Sequence, residues 1–273
     1  MNTQASVRGG ATDRDTSHLD GMGLDRAGWL RAAGLAADEV PDRVILEGTW
    51  WSKERYPMRL AHLDDVRELT FPDMYWGRHR GEAVVFCCAY GAPRAVEPVH
   101  AFGAMGTGAV IQIGSCGALQ PGMVTGDVML PEPAVIGEGA SQYYGGFDRS
   151  APDAALVDAA AEAFAARGFR VHRGQHLTTS ALFAQPRPRV EAWRDVGHLA
   201  VDMETSAVFS AATAFGMRAA SLLFVWDELL NDRTWLDAFD ENEVERQQRA
   251  NEAIFEVALT LPVAAAAAGR VAT

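Results

Sequence analysis

The chain contains few cysteines. Three occur among 273 residues, Cys87, Cys88 and Cys116, and the first two are neighbours in an apolar run. Consecutive side chains of a strand point to opposite faces of a sheet, so this pair does not suggest a disulfide. Small secreted domains held together by disulfides carry many more cysteines. The sequence therefore predicts a protein of a reducing compartment, the cytoplasm.

Positive charge is also scarce. Lys and Arg together number 24 against 36 Asp and Glu, which gives a formal net charge of -12. Such a surface repels nucleic acids and anionic membranes, so we expect neither as a partner. An anionic ligand would need local cations or backbone N–H groups aimed at it.

Long hydrophobic runs are missing as well. Residues 1–23 are polar and lack the apolar core of a signal peptide, and the alanine run near the end is too short to span a bilayer. We expect a disordered polar arm at 1–23, one domain at 24–265 and a tail at 266–273. His172 and His176 straddle Gly174 in an expected strand, so we predict no metal site.

The chain does contain short β-branched runs that alternate with Ala-rich helical patterns. Strands are expected at residues 43–47, 83–89, 109–113, 127–131 and 219–225. Helices are expected at 151–168, 203–216 and 242–259. Near-continuous apolar strands alternating with helices indicate an α/β domain whose sheet is covered on both faces.

The stretch VIQIGSCGALQPGMVTGDVML, from Val110 to Leu130, places Ser115 and Cys116 between two glycines where a strand is expected to stop. Ligands of α/β proteins bind beyond the carboxyl ends of strands. Free N–H groups and a hydroxyl there could cradle an anion or a sugar. A tight turn that simply needs glycine explains the same residues, and both interpretations stay open from these residues alone.

Three charged residues could carry chemistry, and each has a simpler explanation. Glu204 lies at an expected helix start, where an acid also favours the helix dipole. Asp227 ends the most hydrophobic strand, where a carboxylate is well placed for chemistry but could equally cap a helix. Arg246 lies on an amphipathic helix, where a solvated face is the usual explanation.

Taken together, three blocks resemble the nucleoside phosphorylase superfamily, which includes purine nucleoside phosphorylases, uridine phosphorylases and nucleosidases. They are IGSCGALQPGMVTGDVML, VDMETSAVFSAATAFGMRAASL and ERQQRANEAIFEVAL. The resemblance extends from about Arg43 to Leu259. It implies an α/β fold with a single domain, in which a mixed twisted β-sheet forms a partly closed barrel flanked by helices.

The resemblance also implies roles for matching positions. Contacts to the nucleoside are implied for Ser115, Cys116, Gly117, Phe183, Asp202, Met203, Glu204 and Trp226. Within this set, Phe183 matches an aromatic that packs against the base, Met203 lies under the ribose, and Glu204 accepts hydrogen bonds from its hydroxyls. Asp227 matches the catalytic acid that protonates a leaving purine at N7, and Arg246 matches its orienting partner. Trp226 stands where the purine branch has a small residue; it would narrow the base pocket or complete the core.

The implied phosphate site departs from the family pattern. Phosphorylases place arginines at the positions of Gln112 and Ser52, because guanidinium groups match phosphate in charge and geometry. The phosphate-binding set predicted here is Gly48, Ser115, Gln112 and Arg94. Lys53 and Arg55 are further candidates for the missing charge, and surface charge is the simpler explanation of all three cations.

The sequence thus predicts an enzyme that cleaves a nucleoside N-glycosidic bond, with a purine preferred, by phosphorolysis to ribose 1-phosphate and free base. Hydrolysis by water and a nucleoside-binding protein without turnover remain alternatives. No cofactor is expected, and inorganic phosphate is the expected co-substrate. We also expect a homo-oligomer, a dimer or a hexamer, because aromatics in ELTFPDMYWG and WWSKERY suggest an interface.

Overall fold

The computed structural model describes Thr16, Leu19 and residues 21–231 and 237–263. The helices are α1 (Arg26–Ala33), α2 (Ser52–Leu60), α3 (Ala92–Met105), α4 (Ala154–Ala166), α5 (Arg187–Asp195), α6 (Thr205–Phe215) and α7 (Glu241–Thr260). The strands are β1 (Arg43–Gly48), β2 (Asp64–Glu68), β3 (Met74–His79), β4 (Glu82–Cys88), β5 (Ala109–Ala118), β6 (Val128–Gly137), β7 (Arg149–Ser150), β8 (Val171–Thr179), β9 (Ala200–Asp202) and β10 (Arg218–Glu228).

These strands form one mixed sheet that closes on itself along part of its width. The strands β10, β6, β8, β9 and β5 pair in that order, and β10 pairs with β5 again, which completes a five-stranded ring. From β5 the sheet continues outwards through β1, β4, β3 and β2. Buried apolar clusters pack against both faces of the sheet, as its apolar strands require. The predicted single-domain α/β fold with a partly closed barrel is confirmed.

The predicted strands are all present, but β5 is longer than expected. Residues Gly114–Ala118 do not form the predicted turn and instead continue the strand. They pair with β10 on one side, and Gly117 and Ala118 pair with β9 on the other. Position 114 favours glycine because the backbone of a neighbouring strand approaches closely. A Cβ on Gly114 would lie 3.1 Å from the Gly48 carbonyl oxygen.

The predicted helices correspond to α4, α6 and α7. Asp153 caps α4 by accepting a hydrogen bond from the Leu156 N–H at 3.0 Å. Asp240 and Glu243 form a reciprocal capping box at the start of α7. These local signals explain why the sequence located these helices within a few residues.

Most of the predicted arm and the whole predicted tail lie outside the described residues. Within the described part of the chain, no helix is long and apolar enough to cross a membrane. The closed ring and its outward extension leave a set of strand ends on one side of the sheet, and these ends carry the candidate site.

Candidate active site

A cavity of about 620 Å³ lies at the carboxyl ends of β1, β5, β9 and β10. This volume is typical of a small-molecule site. All the predicted nucleoside contacts line it, together with Gly48 and the predicted acid: Gly48, Ser115, Cys116, Gly117, Phe183, Asp202, Met203, Glu204, Trp226 and Asp227. The structure therefore brings together residues that lie up to 179 positions apart in the chain.

Glu204 stands at the centre of the cavity wall, just before α6. Its Oε1 accepts a hydrogen bond from the Gly91 N–H at 2.6 Å. Gly48 approaches the same carboxyl group so closely that a Cβ there would lie 2.6 Å from Glu204 Oε2. Burial, followed by the charge of Asp202, raises the pKa of Glu204 to about 8. This shift of the pKa favours the protonated form of Glu204 near neutral pH.

Asp202 lies two residues earlier and is held by several donors. Thr178 Oγ1 donates to its Oδ1 at 2.8 Å, and the Thr205 N–H and hydroxyl donate to its Oδ2 at 3.0 and 2.5 Å. His176 Nε2 lies 3.0 Å from Oδ1. Burial by itself would raise the pKa of Asp202, but His176 and the hydrogen bonds from Thr205 and Gln112 hold it below its ordinary value. Asp202 is therefore a fixed carboxylate beneath the cavity.

Asp227 reaches the cavity through an irregularity at the end of β10. The register of β10 against β5 shifts between Val225 and Asp227, where Asp227 pairs with Gly117. A bulge of this kind redirects side chains, and Asp227 is 8% exposed at the cavity wall. Cys116 lies nearby, and burial together with the charges of Asp202 and Asp227 raises its pKa. A thiol held protonated in this way is a poor nucleophile.

Five rings line the cavity: Trp50, Trp51, Tyr90, Phe183 and Trp226. We call them the aromatic wall. Trp50 lies 5.3 Å from Tyr90, 5.7 Å from Phe183 and 6.4 Å from Trp51, centroid to centroid. Trp51 stacks on Trp226 at 5.3 Å and 21°. Phe183 is 78% exposed, and Trp50 and Trp51 about 40%, so the wall offers open faces on which a flat ring can stack.

Three predicted residues do not line the cavity. Arg246 does not form the expected pair with Asp227; its Nε donates to the Thr125 carbonyl at 3.0 Å. Arg94 forms an ion pair with Glu97 and donates to the Pro72 carbonyl at 3.4 Å, so its guanidinium is directed elsewhere. The predicted roles of Arg246 and Arg94 are not supported by this geometry.

Gln112 is the third. It is fully buried, and its amide is engaged with Asp202, Thr205 and Ser221 rather than with the cavity. The geometry does not support the prediction that it binds phosphate, because Gln112 does not line the cavity and its amide is taken up by buried partners.

The other cations near Gly48 either form ion pairs with Glu47 or do not line the cavity. Arg59 binds Glu47 through two hydrogen bonds of 2.9 and 3.1 Å, and Arg55 lies 3.0 Å from the same carboxylate. Lys53 is exposed on α2. Among the described residues that line the cavity, the guanidinium of Arg187 is the one cationic group, and it donates to Glu191 and to the Leu230 carbonyl.

Sequence reasoning missed several polar lining residues. They are Thr49, Tyr90, Gln185, Arg187, Asn231 and Asp237. Tyr90 follows β4 directly, and the rule that ligands lie beyond strand ends could have found it. Its hydroxyl donates to Met203 Sδ at 3.2 Å, which ties the two sides of the cavity together. Gln185 and Arg187 follow Phe183 within four positions, and their proximity to it was the available signal.

The fold and the site together define an α/β enzyme with a small-molecule cavity at its strand ends, lined by aromatic rings and carboxyl groups. A family model described as Phosphorylase superfamily matches residues 53–261, and the chain belongs to this family. The nucleoside phosphorylases of this family are pentosyltransferases that use inorganic phosphate as a co-substrate and need no cofactor. Among the described residues, no group of three or more His, Cys, Asp or Glu could hold a metal ion.

The curated relatives share modest identity over most of the chain. A DeoD-type purine nucleoside phosphorylase of Geobacillus kaustophilus is 28% identical over 238 residues, covering 83% of this chain and 94% of the relative. A uridine phosphorylase of Thermococcus kodakarensis is 27% identical, covering 69% and 73%. The crystal structure of a uridine phosphorylase from Vibrio fischeri has a TM-score of 0.70 at 22% identity, covering 82% and 92%. This last likeness concerns the fold.

Proposed function

We propose that the protein cleaves the N-glycosidic bond of a purine nucleoside by phosphorolysis, releasing the free base and ribose 1-phosphate. The observation that carries the proposal is the presence of Glu204 and Asp227 in one cavity, beside the glycine-rich end of β5. The similarity to purine nucleoside and guanosine phosphorylases supports it.

The chemistry fits the positions of the two acids. Cleavage of an N-glycosidic bond passes through a sugar with oxocarbenium character. Glu204 would bind the ribose hydroxyls, and the fixed charge of Asp202 beneath it would stabilise the developing positive charge. Asp227, at the carboxyl end of β10, would in its protonated form donate its proton to the leaving base and become a carboxylate, a contribution of typically ~10²–10⁴-fold.

A pyrimidine nucleoside is a second candidate substrate, favoured by Gln185 and Arg187. An amide and a guanidinium in the cavity can pair with the carbonyl and N–H edge of a pyrimidine. The purine proposal rests on Asp227, because an acid beside the base assists a leaving group that can accept a proton. The two candidates predict different rates on inosine and uridine.

Water is a second candidate nucleophile, favoured by the charge of the cavity. Among the described residues, its lining includes the carboxyl groups of Asp202, Glu204, Asp227 and Asp237 and one guanidinium, that of Arg187. A dianionic phosphate would depend mainly on N–H groups and the hydroxyl of Ser115. Each charge-assisted hydrogen bond contributes about 1.5–3 kcal/mol, so a site without several of them binds phosphate weakly.

One experiment tests the substrate and the nucleophile together. The full chain is incubated with inosine, adenosine or uridine, with and without inorganic phosphate, and the sugar product is identified by mass spectrometry. Ribose 1-phosphate that appears only with phosphate supports phosphorolysis, whereas free ribose at a rate independent of phosphate supports hydrolysis. No release of any base contradicts the proposed activity.

We also propose that the enzyme is a cytoplasmic homo-oligomer, a dimer or a hexamer. The three thiols are all buried and reduced, as a reducing compartment allows. Exposed aromatic side chains such as Tyr143 and Phe147 are typical of association surfaces. Light scattering at micromolar concentration tests the assembly, and a monomeric mass contradicts it.

A further inference from the structure

Gln112 forms a compact hydrogen-bond network within the sheet. Its side chain is 0% exposed in the middle of β5. Its Nε2 donates to Asp202 Oδ2 at 3.0 Å, and its Oε1 lies 2.7 Å from the hydroxyl oxygens of both Thr205 and Ser221. Its partners are therefore on β9, at the start of α6 and on β10, and all of them are buried.

The chemistry of the partners fixes the orientation of this amide. The Asp202 carboxylate can only accept, so the NH₂ group of Gln112 must face it. The Thr205 hydroxyl lies 2.5 Å from Asp202 Oδ2 and 2.7 Å from Gln112 Oε1, so its single proton is available to either acceptor. The Ser221 hydroxyl also donates to Gln112 Oε1. The amide of Gln112 therefore has one orientation in this network, which a shorter or charged side chain at position 112 cannot reproduce.

The network holds both ends of one short segment of the site. Asp202 and Thr205 are separated only by Met203 and Glu204, which line the cavity. Gln112 contacts the residue before this pair and the residue after it. Because both flanking residues are fixed, the directions of the two lining side chains are fixed as well.

We propose that Gln112 is a positioning residue that holds the segment from Asp202 to Thr205 and thereby directs Glu204 towards the sugar hydroxyls of the substrate. The proposal rests on the proposed function, because it assumes that a nucleoside occupies the cavity. It assigns Gln112 to nucleoside recognition rather than to phosphate binding.

The test compares two substrates and two constants in the full-length protein. Gln112→Met keeps the length of the side chain and removes its hydrogen bonds. The KM of the riboside and its Kd, measured through tryptophan fluorescence, should rise by about tenfold or more. For a 2′,3′-dideoxyriboside, which lacks the hydroxyls, the same constants should change by less than about twofold, as should the KM of phosphate. Gln175→Met, on β8, which β9 separates from β5, is the matched control.

Each outcome decides the proposal. A higher KM of phosphate with an unchanged riboside KM assigns Gln112 to the phosphate and overturns it. Equal losses on the riboside and the dideoxyriboside mean a general structural role and overturn it too. If Gln112→Met does not fold, Ser221→Ala, which removes one partner of Gln112, must show the same selective loss. A wild-type protein that binds no nucleoside refutes the proposed function itself, and the positioning role with it.

Discussion

The two sides of the cavity are built on different principles. On one side, Asp202 and Glu204 are buried and held by short hydrogen bonds from several strands. On the other, Trp50 and Trp51 follow Gly48 as half-exposed rings that contact mainly other rings. Buried hydrogen bonds fix a geometry, whereas stacked aromatic surfaces tolerate many partners. We call the side of Asp202 and Glu204 the polar side. It is suited to the ribose, which all nucleosides of this series share, whereas the aromatic wall is suited to the base, which differs among them.

The difference also concerns charge. The polar side carries carboxyl groups, and Arg55 and Arg59, which follow Gly48 on α2, are engaged with Glu47. A relative that binds phosphate tightly needs positive charge near this loop. We therefore expect the polar side to control catalysis and the wall to affect affinity and selectivity more modestly.

The largest effect is expected at Asp227. Asp227→Asn should lower turnover on a purine nucleoside by at least ~10²-fold, because it removes the proton donor of the leaving base. Steady-state kinetics with inosine measures this loss. Asp148→Asn, at an exposed carboxylate paired with Arg149, is the control and should leave the rate unchanged. A near wild-type rate in Asp227→Asn means that the acid lies elsewhere.

The next effect is expected at Glu204. Glu204→Gln should lower kcat/KM by roughly 10–100-fold on ribosides, because it replaces one oxygen of the carboxyl group by an NH₂ group, and a buried hydroxyl left without its acceptor costs about 1–3 kcal/mol. A 2′-deoxyriboside offers one hydroxyl fewer and should lose less. Kinetics on inosine and 2′-deoxyinosine measure the difference, and equal losses contradict the assigned contact.

Glu204 should also make stability depend on pH. Its folded pKa of about 8 lies above its ordinary value of 4.5, so the native state holds more protons than the unfolded state between these limits. The free energy of unfolding contributed by this group is therefore fully present below about pH 4.5 and lost as pH rises through 8. The Tm of the wild type should fall relative to that of Glu204→Gln between pH 5 and 9, and parallel curves contradict this expectation.

The sequence predicted the strands and helices whose patterns are apolar and periodic, such as β1 and α7. It gave no prediction for several other elements, among them β2, whose residues DDVRE are largely exposed, and the buried helix α3. The closed ring of strands was predicted only from the family resemblance, because no local sequence pattern shows that β5 pairs with β10. These misses share one cause: pairing and burial are decided by tertiary contacts.

Within the site, the predicted residues at strand ends line the cavity, whereas the predicted cations Arg94 and Arg246 do not. Sequence spacing places Gln112 on a strand but does not say which buried neighbours will take up its amide. Arg94 and Arg246 were expected to act in the cavity, yet their nearest acceptors, Glu97 and the Thr125 carbonyl, hold them elsewhere. A long charged side chain pairs with the closest acceptor, and only the structure identifies it.

A smaller effect is expected from the aromatic wall. Trp51→Ala removes the ring stacked on Trp226 and should raise the KM of the nucleoside by a few-fold, since one aromatic pair contributes about 0.5–1.5 kcal/mol. The value of kcat should change little, because Asp227 and Glu204 stay in place. Trp193→Phe, on α5 and outside the cavity lining, is the control. A collapse of kcat in Trp51→Ala means that the wall takes part in the chemistry.

The smallest effect is expected at Arg94, and it tests the contrast in charge most directly. If this guanidinium supplied charge to phosphate, Arg94→Ala would raise the phosphate requirement steeply. The structure directs it to Glu97 and the Pro72 carbonyl, away from the cavity lining. Exposed ion pairs contribute about 0–1 kcal/mol, so the substitution should alter the KM of phosphate and the Tm only slightly. Phosphate titrations of the wild type and Arg94→Ala measure this, with Arg187→Ala as the comparison inside the cavity. If the KM of phosphate rises steeply in Arg94→Ala but not in Arg187→Ala, the guanidinium of Arg94 does bind phosphate. The two sides of the cavity would then not differ in charge as described.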